Sequence, residues 1–232
     1  MKQLIKNIAL KMTGRDLSRM PLYHHDVRPD FKNIYANLTL QTLIDQFQTV
    51  LDIGSGAGKH AEILRKYGKT VTQLDFGKSI YYQGKADNSK VLYTDYSIHE
   101  FDSQFDCLWA SHVLEHQPNV NRFLVKMRAD LKEGGILAIT VPPLKHQIVG
   151  GHLNLWNAGL LLYHLVFAGF NCRNAHVRTY GYNVSVILRK EAIDLPPIDY
   201  DSGDIDRLSD FFPAGCQENF NGDIRLLNWP WK

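Results

Sequence analysis

The residues best suited to chemistry lie in a glycine-rich stretch that follows a short apolar run. The stretch reads Val50-Leu51-Asp52-Ile53-Gly54-Ser55-Gly56-Ala57-Gly58. Glycine permits tight turns and lets a ligand approach the backbone, and the N-terminus of a following helix offers free N–H groups. Because the spacing is G-x-G-x-G, it matches the dinucleotide fingerprint G-x-G-x-x-G less well. The stretch therefore predicts a loop that binds a nucleotide-like cofactor.

Two aspartates follow at the ends of the next apolar runs. Asp75 lies 23 residues beyond Asp52, and Asp95 follows the run after that. A carboxylate at the end of the second strand can accept hydrogen bonds from both hydroxyls of a ribose. Aspartate also caps turns commonly, and this purely structural interpretation stays open for both residues.

A histidine motif follows the fourth apolar run. The residues His112-Val113-Leu114-Glu115-His116 spell H-x-x-E-H, a pattern in which zinc peptidases hold the metal between two histidines one helical turn apart. That use requires an uninterrupted helix and a third, distal ligand. Pro118 comes two residues after His116, and no third ligand is evident in the sequence. We therefore expect neither a peptidase nor a bound metal.

From residue 49 onward, short apolar runs alternate with helical patterns, which is typical of βαβ units on a parallel sheet. The predicted strands are 50–53, 70–74, 91–93, 105–110, 135–141, 172–177 and 184–189. The predicted helices between them are 60–67, 113–116, 120–131 and 158–168. The sequence thus predicts an α/β domain over residues 48–190.

Two flanking segments differ from this pattern. Residues 1–47 are predicted to be a helical extension, with a basic amphipathic helix at the start and a second helix over 31–47. The first helix either docks on its own domain or contacts a membrane surface or a partner. Residues 191–232 carry prolines, acidic residues and late aromatic residues, and we interpret them as a tail packed on the domain.

Composition excludes several classes of protein. The chain has 232 residues, 44% of them hydrophobic and 22% charged, which is ordinary for a globular protein. Its three cysteines, Cys107, Cys172 and Cys216, are far apart and signal neither a disulfide framework nor a zinc knuckle, so a reducing, cytoplasmic setting fits best. No apolar run approaches the ~20 residues that cross a bilayer.

The charge is unevenly distributed. Residues 1–190 carry 23 Lys and Arg against 15 Asp and Glu, whereas residues 191–210 carry seven acids against Arg207 alone. A basic body suits an anionic small molecule or a phosphorylated carrier. Because the clustered basic stripe of nucleic-acid binders is missing, we expect no nucleic-acid partner.

Five segments in order, LDIGSGAG, TQLDFG, LYTDYS, FDCLWASHVLEHQPNVNRFL and LKEGGILAITVP, resemble the class I S-adenosylmethionine-dependent methyltransferases. More narrowly, they are similar to the branch with ubiquinone-type and sugar or glycan O-methyltransferases. The resemblance covers about residues 48–190. It implies a Rossmann-like, seven-stranded, mostly parallel sheet with helices on both faces and an antiparallel last strand at 184–189.

The resemblance also implies roles for individual residues in binding S-adenosylmethionine. The glycines Gly54, Gly56 and Gly58 would line the methionine moiety, and Asp75 would bind the ribose. Asp52 would also belong to the cofactor-binding residues. Asp95 would bind the adenine amino group and Phe76 would pack on the ring, while Ser111 would lie beneath the transferable methyl.

The acceptor is the less defined half of the prediction. The resemblance places the loop Gly150-Gly151-His152 at the acceptor side. His112 and His152 are the candidate bases, because imidazole titrates near neutral pH. We expect O-methylation of a small molecule or glycan, with a sugar hydroxyl in polysaccharide or nucleotide-sugar metabolism favoured. A quinone-like or other small metabolite, methylation on nitrogen, and a non-catalytic domain that binds cofactor or partner remain alternatives.

Overall fold

The computed structural model describes residues 27–78 and 91–229. The predicted basic helix at the start of the chain lies outside these residues. In the described part of the chain, no helix is long and apolar enough to span a membrane.

One mixed sheet forms the centre of the structure. The eight strands in the described residues are β1 (Thr49–Ile53), β2 (Thr70–Asp75), β3 (Val91–Tyr93), β4 (Phe105–Ser111), β5 (Leu131–Val141), β6 (His176–Tyr180), β7 (Asn183–Arg189) and β8 (Leu226–Leu227). Their order across the sheet is β3-β2-β1-β4-β5-β7-β6-β8. Strands β1 to β5 pair in parallel, β7 is antiparallel to β5 and β6, and β8 is antiparallel to β6.

Helices connect and cover the strands. The α-helices of the described residues are α1 (Asn37–Leu43), α2 (Lys59–Lys66), α3 (Val120–Asp130), α4 (Ala158–Phe167) and α5 (Asp204–Arg207). Short 3-10 turns span Pro29–Phe31, Leu114–His116 and Ser209–Phe211. Asparagine side chains cap two of the helices, since Asn119 Oδ1 accepts from Arg122 N at 3.0 Å and Asn157 Oδ1 accepts from Leu160 N at 2.7 Å.

The central strands β1, β4 and β7 are buried on both faces, as their nearly continuous apolar sequences require. On β4, Leu108 and Ala110 belong to one hydrophobic core, whereas Cys107 and Trp109 belong to the core on the opposite face. This alternation follows from the period of two in a strand. The α/β prediction with an antiparallel strand at 184–189 is thereby confirmed.

The number of strands predicted was wrong by one. The tail adds β8 to the edge of β6, and its Leu208 and Phe212 are buried in the main core. A two-residue strand gives no recognisable alternation in a sequence, so the pattern could not show it.

Four predicted elements also differ from the structure in type or by more than one residue. The strand predicted at 135–141 begins at Leu131, directly after α3. The strand predicted at 172–177 begins only at His176, because Ala175 N donates to Cys172 O at 2.9 Å and closes a turn there. The helix predicted over 31–47 is reduced to α1, since Ala36 adopts a left-handed conformation with φ 51°. The segment predicted as a helix over 113–116 is a 3-10 turn.

Candidate active site

The glycine-rich loop leaves the carboxyl end of β1 and enters α2. Gly54, Gly56 and Gly58 all adopt positive φ, at 70°, 51° and 76°. Gly54 N and Ser55 N both donate to Leu74 O, at 2.8 and 3.1 Å, which ties the loop to the end of β2. Only glycine adopts such a succession of left-handed conformations at low cost, so the sequence pattern determines this turn.

Space around the loop differs from one glycine to the next. A Cβ at Gly54 would lie 2.5 Å from Val113 Cγ2, whereas a Cβ at Gly56 would meet no atom within 4 Å. Gly54 therefore permits close packing within the protein. Gly56 leaves open space beside the loop, which a ligand could occupy.

Asp75 lies at the end of β2 and holds two backbone segments together. Its Oδ2 accepts from Gly56 N at 2.8 Å, and its Oδ1 accepts from Gly77 N at 2.7 Å. The residue is only 6% exposed. A carboxylate has about four acceptor positions, so two remain for a ligand.

Asp52 lies at the bottom of the same region, on β1, and is almost fully buried. Its Oδ2 has no hydrogen-bond partner among the described residues. Burial, together with the nearby charge of Asp75, raises the pKa of Asp52 to about 7. This buried oxygen is suited to a cationic group.

The next two predicted cofactor residues are both exposed. The Phe76 side chain is 58% exposed, with Lys78 Nζ 4.9 Å from its ring centroid. Asp95 Oδ1 accepts from Ser97 N at 2.8 Å, so this aspartate caps a turn. A role for either residue in cofactor binding stays a prediction.

Ser111 and His112 lie where β4 ends. Ser111 Oγ is buried and has no partner within the described ranges. His112 adopts a left-handed φ of 59°, and its backbone N–H donates to Thr140 O at 2.8 Å. This unusual conformation for a non-glycine residue turns the imidazole towards β7 and the following 3-10 turn.

Both ring nitrogens of His112 face acceptors. Nε2 lies 3.1 Å from Asn183 Oδ1, and Nδ1 lies 3.3 Å from Glu115 Oε1. The orientation of the Asn183 amide is fixed, because Oδ1 accepts from Ala36 N and Nδ2 donates to Tyr180 O, each at 3.2 Å. His112 Nε2 must therefore carry the proton that this hydrogen bond needs.

Two tyrosine rings flank His112. Tyr35 lies 4.5 Å from it between ring centroids and Tyr182 lies 5.8 Å from it, with the Tyr182 ring nearly parallel. Tyr35 O contacts His60 Nε2 at 2.9 Å, and burial lowers the pKa of His60 to about 4. Tyr35 is nonetheless 57% exposed, so its ring is available to a ligand.

A second group of side chains brings together Glu115, His116 and His152. One potential ligand atom from each lies within 4.8 Å of the others. His116 Nδ1 contacts Gly151 O at 2.8 Å, and the rings of His116 and His152 are 5.0 Å apart and nearly perpendicular. Desolvation on burial lowers the pKa of His152, although the charge of Glu115 opposes this.

A cavity of about 220 Å³ opens beside His152. Its walls come from the segment after β5 and from Tyr182, just before β7. Lys145 contributes a cation and lies 4.1 Å above the Tyr182 ring. Tyr182 also stacks on His112, so this tyrosine connects the wall of the cavity to the end of β4.

The peptidase interpretation of H-x-x-E-H is wrong. His112 directly follows the last residue of β4, and only Leu114–His116 form a 3-10 turn. His112 and His116 are thus not one turn apart on an α-helix, and His112 points to Asn183 and Glu115. Instead, the fold brings His152, from a distant loop, close to Glu115 and His116.

Sequence reasoning also missed Tyr35 and Asn183. Tyr35 fell within a predicted helix, and Asn183 within the turn before the last strand. Neither has a local signature, because each contacts His112 only through the fold.

Comparisons with known proteins agree with this geometry. A protein-family model described as a methyltransferase domain matches residues 23–180. Malonyl-[acyl-carrier protein] O-methyltransferase of Buchnera aphidicola is 27% identical over 113 residues, which cover 47% of this chain and 46% of that protein. Ubiquinone biosynthesis O-methyltransferase of Paramagnetospirillum magneticum is 33% identical over 94 residues, 38% of each chain. The chain thus spans less than half the length of these relatives.

Solved structures show the same fold at low sequence identity. An S-adenosylmethionine-dependent methyltransferase from Archaeoglobus fulgidus superposes with a TM-score of 0.55 at 17% identity, covering 66% of this chain and 92% of that one. The 1,6-didemethyltoxoflavin-N1-methyltransferase of Burkholderia thailandensis, solved with S-adenosylhomocysteine, gives 0.55 at 17% identity, covering 79% and 85%. The chain therefore belongs to the methyltransferase-domain family, and its fold is that of the class I S-adenosylmethionine-dependent methyltransferases.

Proposed function

We propose that this protein transfers a methyl group from S-adenosylmethionine to a hydroxyl oxygen of a small molecule. The proposal rests on the relative position of the glycine loop and the cavity. The glycine loop with Asp75 and the cavity with His152 lie at the same carboxyl edge of the sheet, joined through His112 and Tyr182. In open α/β sheets, ligands bind at this edge.

The residues at the loop fit the cofactor. Asp52 offers a buried, unpartnered oxygen to the positively charged methionine moiety, and Asp75 keeps two acceptor positions for the ribose hydroxyls. The open space at Gly56 leaves room beside the backbone, and the exposed ring of Phe76 can cover the adenine. Asp95 and Ser111 complete the proposed site, at the adenine and beneath the methyl.

S-adenosylmethionine supplies a methyl group on a sulfonium, which reacts by in-line displacement. The protein contributes mainly alignment, and a hydroxyl acceptor must also lose its proton. Of the two candidate bases, His112 already has both nitrogens facing Asn183 and Glu115. His152 lines the cavity, so we assign the proton of the acceptor to His152 in the metal-free protein.

For the acceptor we propose a sugar hydroxyl, in polysaccharide or nucleotide-sugar metabolism. Lys145 in the cavity wall and the basic body of the chain suit an anionic, phosphorylated sugar. A planar, quinone-like acceptor is the second candidate, because the exposed Tyr35 ring next to His112 offers a stacking surface. The relative from Paramagnetospirillum magneticum is named as an O-methyltransferase of ubiquinone biosynthesis, which agrees with this second candidate.

We further propose that the protein acts in the cytoplasm, where its three free cysteines stay reduced. The basic segment at the start of the chain is our candidate for contact with a membrane surface or a partner.

Incubation with methyl-labelled S-adenosylmethionine and a panel of nucleotide sugars, glycans and catechol-like quinone precursors tests this proposal. We expect label in an ether product with one acceptor class. Cofactor binding without transfer to any acceptor would favour the non-catalytic alternative. Label on nitrogen or carbon would correct the O-methylation assignment.

A further inference from the structure

We propose that Glu115, His116 and His152 bind a divalent transition metal ion, with zinc the best match, beside the acceptor cavity. These residues belong to two separate segments, the 3-10 turn after β4 and the loop before α4. The fold brings one potential ligand atom of each within 4.8 Å of the others. Two imidazoles and one carboxylate form a ligand set that zinc commonly uses, whereas magnesium and calcium prefer oxygen ligands alone.

The buried carboxylate of Glu115 lacks a partner that a metal would supply. Glu115 is 1% exposed, and its Oε2 has no hydrogen-bond partner in the described residues. A buried carboxylate oxygen without a hydrogen bond is costly, because that oxygen has lost its water without gaining another hydrogen-bond donor. The other oxygen, Oε1, lies 3.9 Å from His116 Nε2 and 3.3 Å from His112 Nδ1.

The His116 ring is oriented as a metal ligand requires. Its Nδ1 contacts Gly151 O at 2.8 Å, which places the proton on Nδ1 and leaves the lone pair on Nε2. Metal-binding histidines almost always donate their second N–H in this way. Gly151 has φ 79°, and a Cβ there would lie 3.1 Å from His116 Nδ1, so glycine permits this contact.

Hydrogen bonds join the two ligand-bearing segments. Glu115 O accepts from Leu153 N at 2.7 Å and from Asn154 N at 3.2 Å. The Asn154 side chain donates to Leu114 O at 3.3 Å and Gln117 O at 2.8 Å. The backbone that carries all three ligands is therefore held in place without a metal.

The potential ligand atoms would have to move only slightly closer together to bind an ion. Ligand atoms ~2.0–2.1 Å from a tetrahedral ion lie roughly 3.3 Å from one another. The pair Glu115 Oε1 and His116 Nε2, at 3.9 Å, is already near that value. Three protein ligands leave at least one position for water or for an acceptor oxygen from the cavity that His152 lines.

The catalytic role of the ion rests on the proposed methyl transfer, whereas its binding does not. A coordinated hydroxyl has a lowered pKa, and its proton passes to solvent. The new oxygen–carbon bond then forms as the sulfur–carbon bond breaks, and the neutral thioether S-adenosylhomocysteine is released. His152 would be a ligand in this form of the protein, and no separate base would be needed.

Metal binding is measured first, without cofactor or acceptor. The full chain is stripped with a chelator, then titrated with Zn²⁺ against a chromophoric chelator, and with Co²⁺ while the visible absorption of a four-coordinate site is followed. We expect one ion per chain. We expect Glu115→Gln, His116→Ala and His152→Ala each to weaken zinc binding by roughly 100-fold or more, since even outer partners of a metal contribute about 10–100-fold.

Two controls separate this site from other causes. His24 and His25 are adjacent and could bind zinc adventitiously, so the double variant His24→Ala/His25→Ala should keep the affinity of the wild type. Retained binding of S-adenosylmethionine shows that a variant is folded. If His116→Ala is not folded, His116→Gln replaces it. Gly151→Ala should weaken zinc binding without removing a ligand, because it displaces His116.

No zinc binding by the wild type, or binding lost only in the His24/His25 variant, would overturn the site. Activity then tests the role. A metal role predicts that all three ligand variants lose kcat and that a chelator does the same until zinc is restored. A base role for His152 predicts a loss in His152→Ala alone.

Discussion

The double contact of Asp75 gives the sharpest prediction about the cofactor site. Asp75→Ala removes the acceptor of Gly56 N and of Gly77 N, as well as the two positions proposed for the ribose. Hydrogen bonds to a charged group contribute about 1.5–3 kcal/mol, and 1.4 kcal/mol is a factor of ten. Loss of the equivalent of one such bond to the ribose should lower affinity for S-adenosylmethionine about 10–100-fold, and loss of the two backbone bonds should lower the unfolding free energy by about 3–6 kcal/mol.

Calorimetric titration and urea unfolding measure the two effects on the same samples. Asp75→Asn should resemble Asp75→Ala in affinity, because an amide offers one acceptor oxygen and sets an N–H₂ group against the second backbone donor. The exposed Asp45 provides a matched control, and Asp45→Ala should change neither quantity. A folded Asp75→Ala protein with unchanged affinity would refute the assignment of Asp75 to the cofactor.

Three further aspartates give separate predictions. The pKa of Asp52 is raised to about 7, so its ionised form opposes folding. In thermal-shift measurements, Asp52→Asn should stabilise the ligand-free protein increasingly between about pH 4 and 7. In a calorimetric titration at pH 8, the same variant should bind the cofactor more weakly. Burial raises the pKa of Asp106, but hydrogen bonds from Lys132 and Thr49 outweigh burial and lower the pKa to about 2. Asp106→Asn should therefore lower the free energy of unfolding in urea by about 2 kcal/mol at pH 7, and this difference should shrink as the pH falls from about 4 to 2. Asp95→Ala should weaken cofactor binding several-fold if the side chain binds adenine, whereas a lower melting temperature with unchanged affinity would leave only the turn cap seen at Ser97.

Local patterns predicted much of the fold. The apolar runs of β1, β4 and β7 are buried on both faces, so each is recognisable without knowledge of its neighbours. The glycine loop was predictable for the same reason, because its conformation depends on glycines that are adjacent in sequence. The sequence did not predict β8, which depends on pairing with a distant segment. It also placed the start of β6 wrongly, because a local turn precedes that strand.

The candidate site was predictable only where its residues follow a strand. Asp75 ends β2 and His112 directly follows β4, and parallel strands bring their ends to one edge. The approach of His152 to Glu115 and His116 depends instead on hydrogen bonds between two loops. No spacing along the chain encodes that approach, which is why the sequence alone did not indicate that His152 lies beside Glu115 and His116.

Binding of S-adenosylmethionine to matched glycine variants tests the central claim most directly. Gly56 and Gly68 both have positive φ, at 51° and 76°, and a Cβ at either position would meet no atom within 4 Å. Gly56→Val and Gly68→Val should therefore carry a similar backbone strain, on the order of 1–2 kcal/mol, but only the first places a side chain in the proposed cofactor site. We predict that calorimetric titration shows binding to the wild type and to Gly68→Val, and none to Gly56→Val. Equal binding by both variants, or no binding by the wild type, would contradict the account.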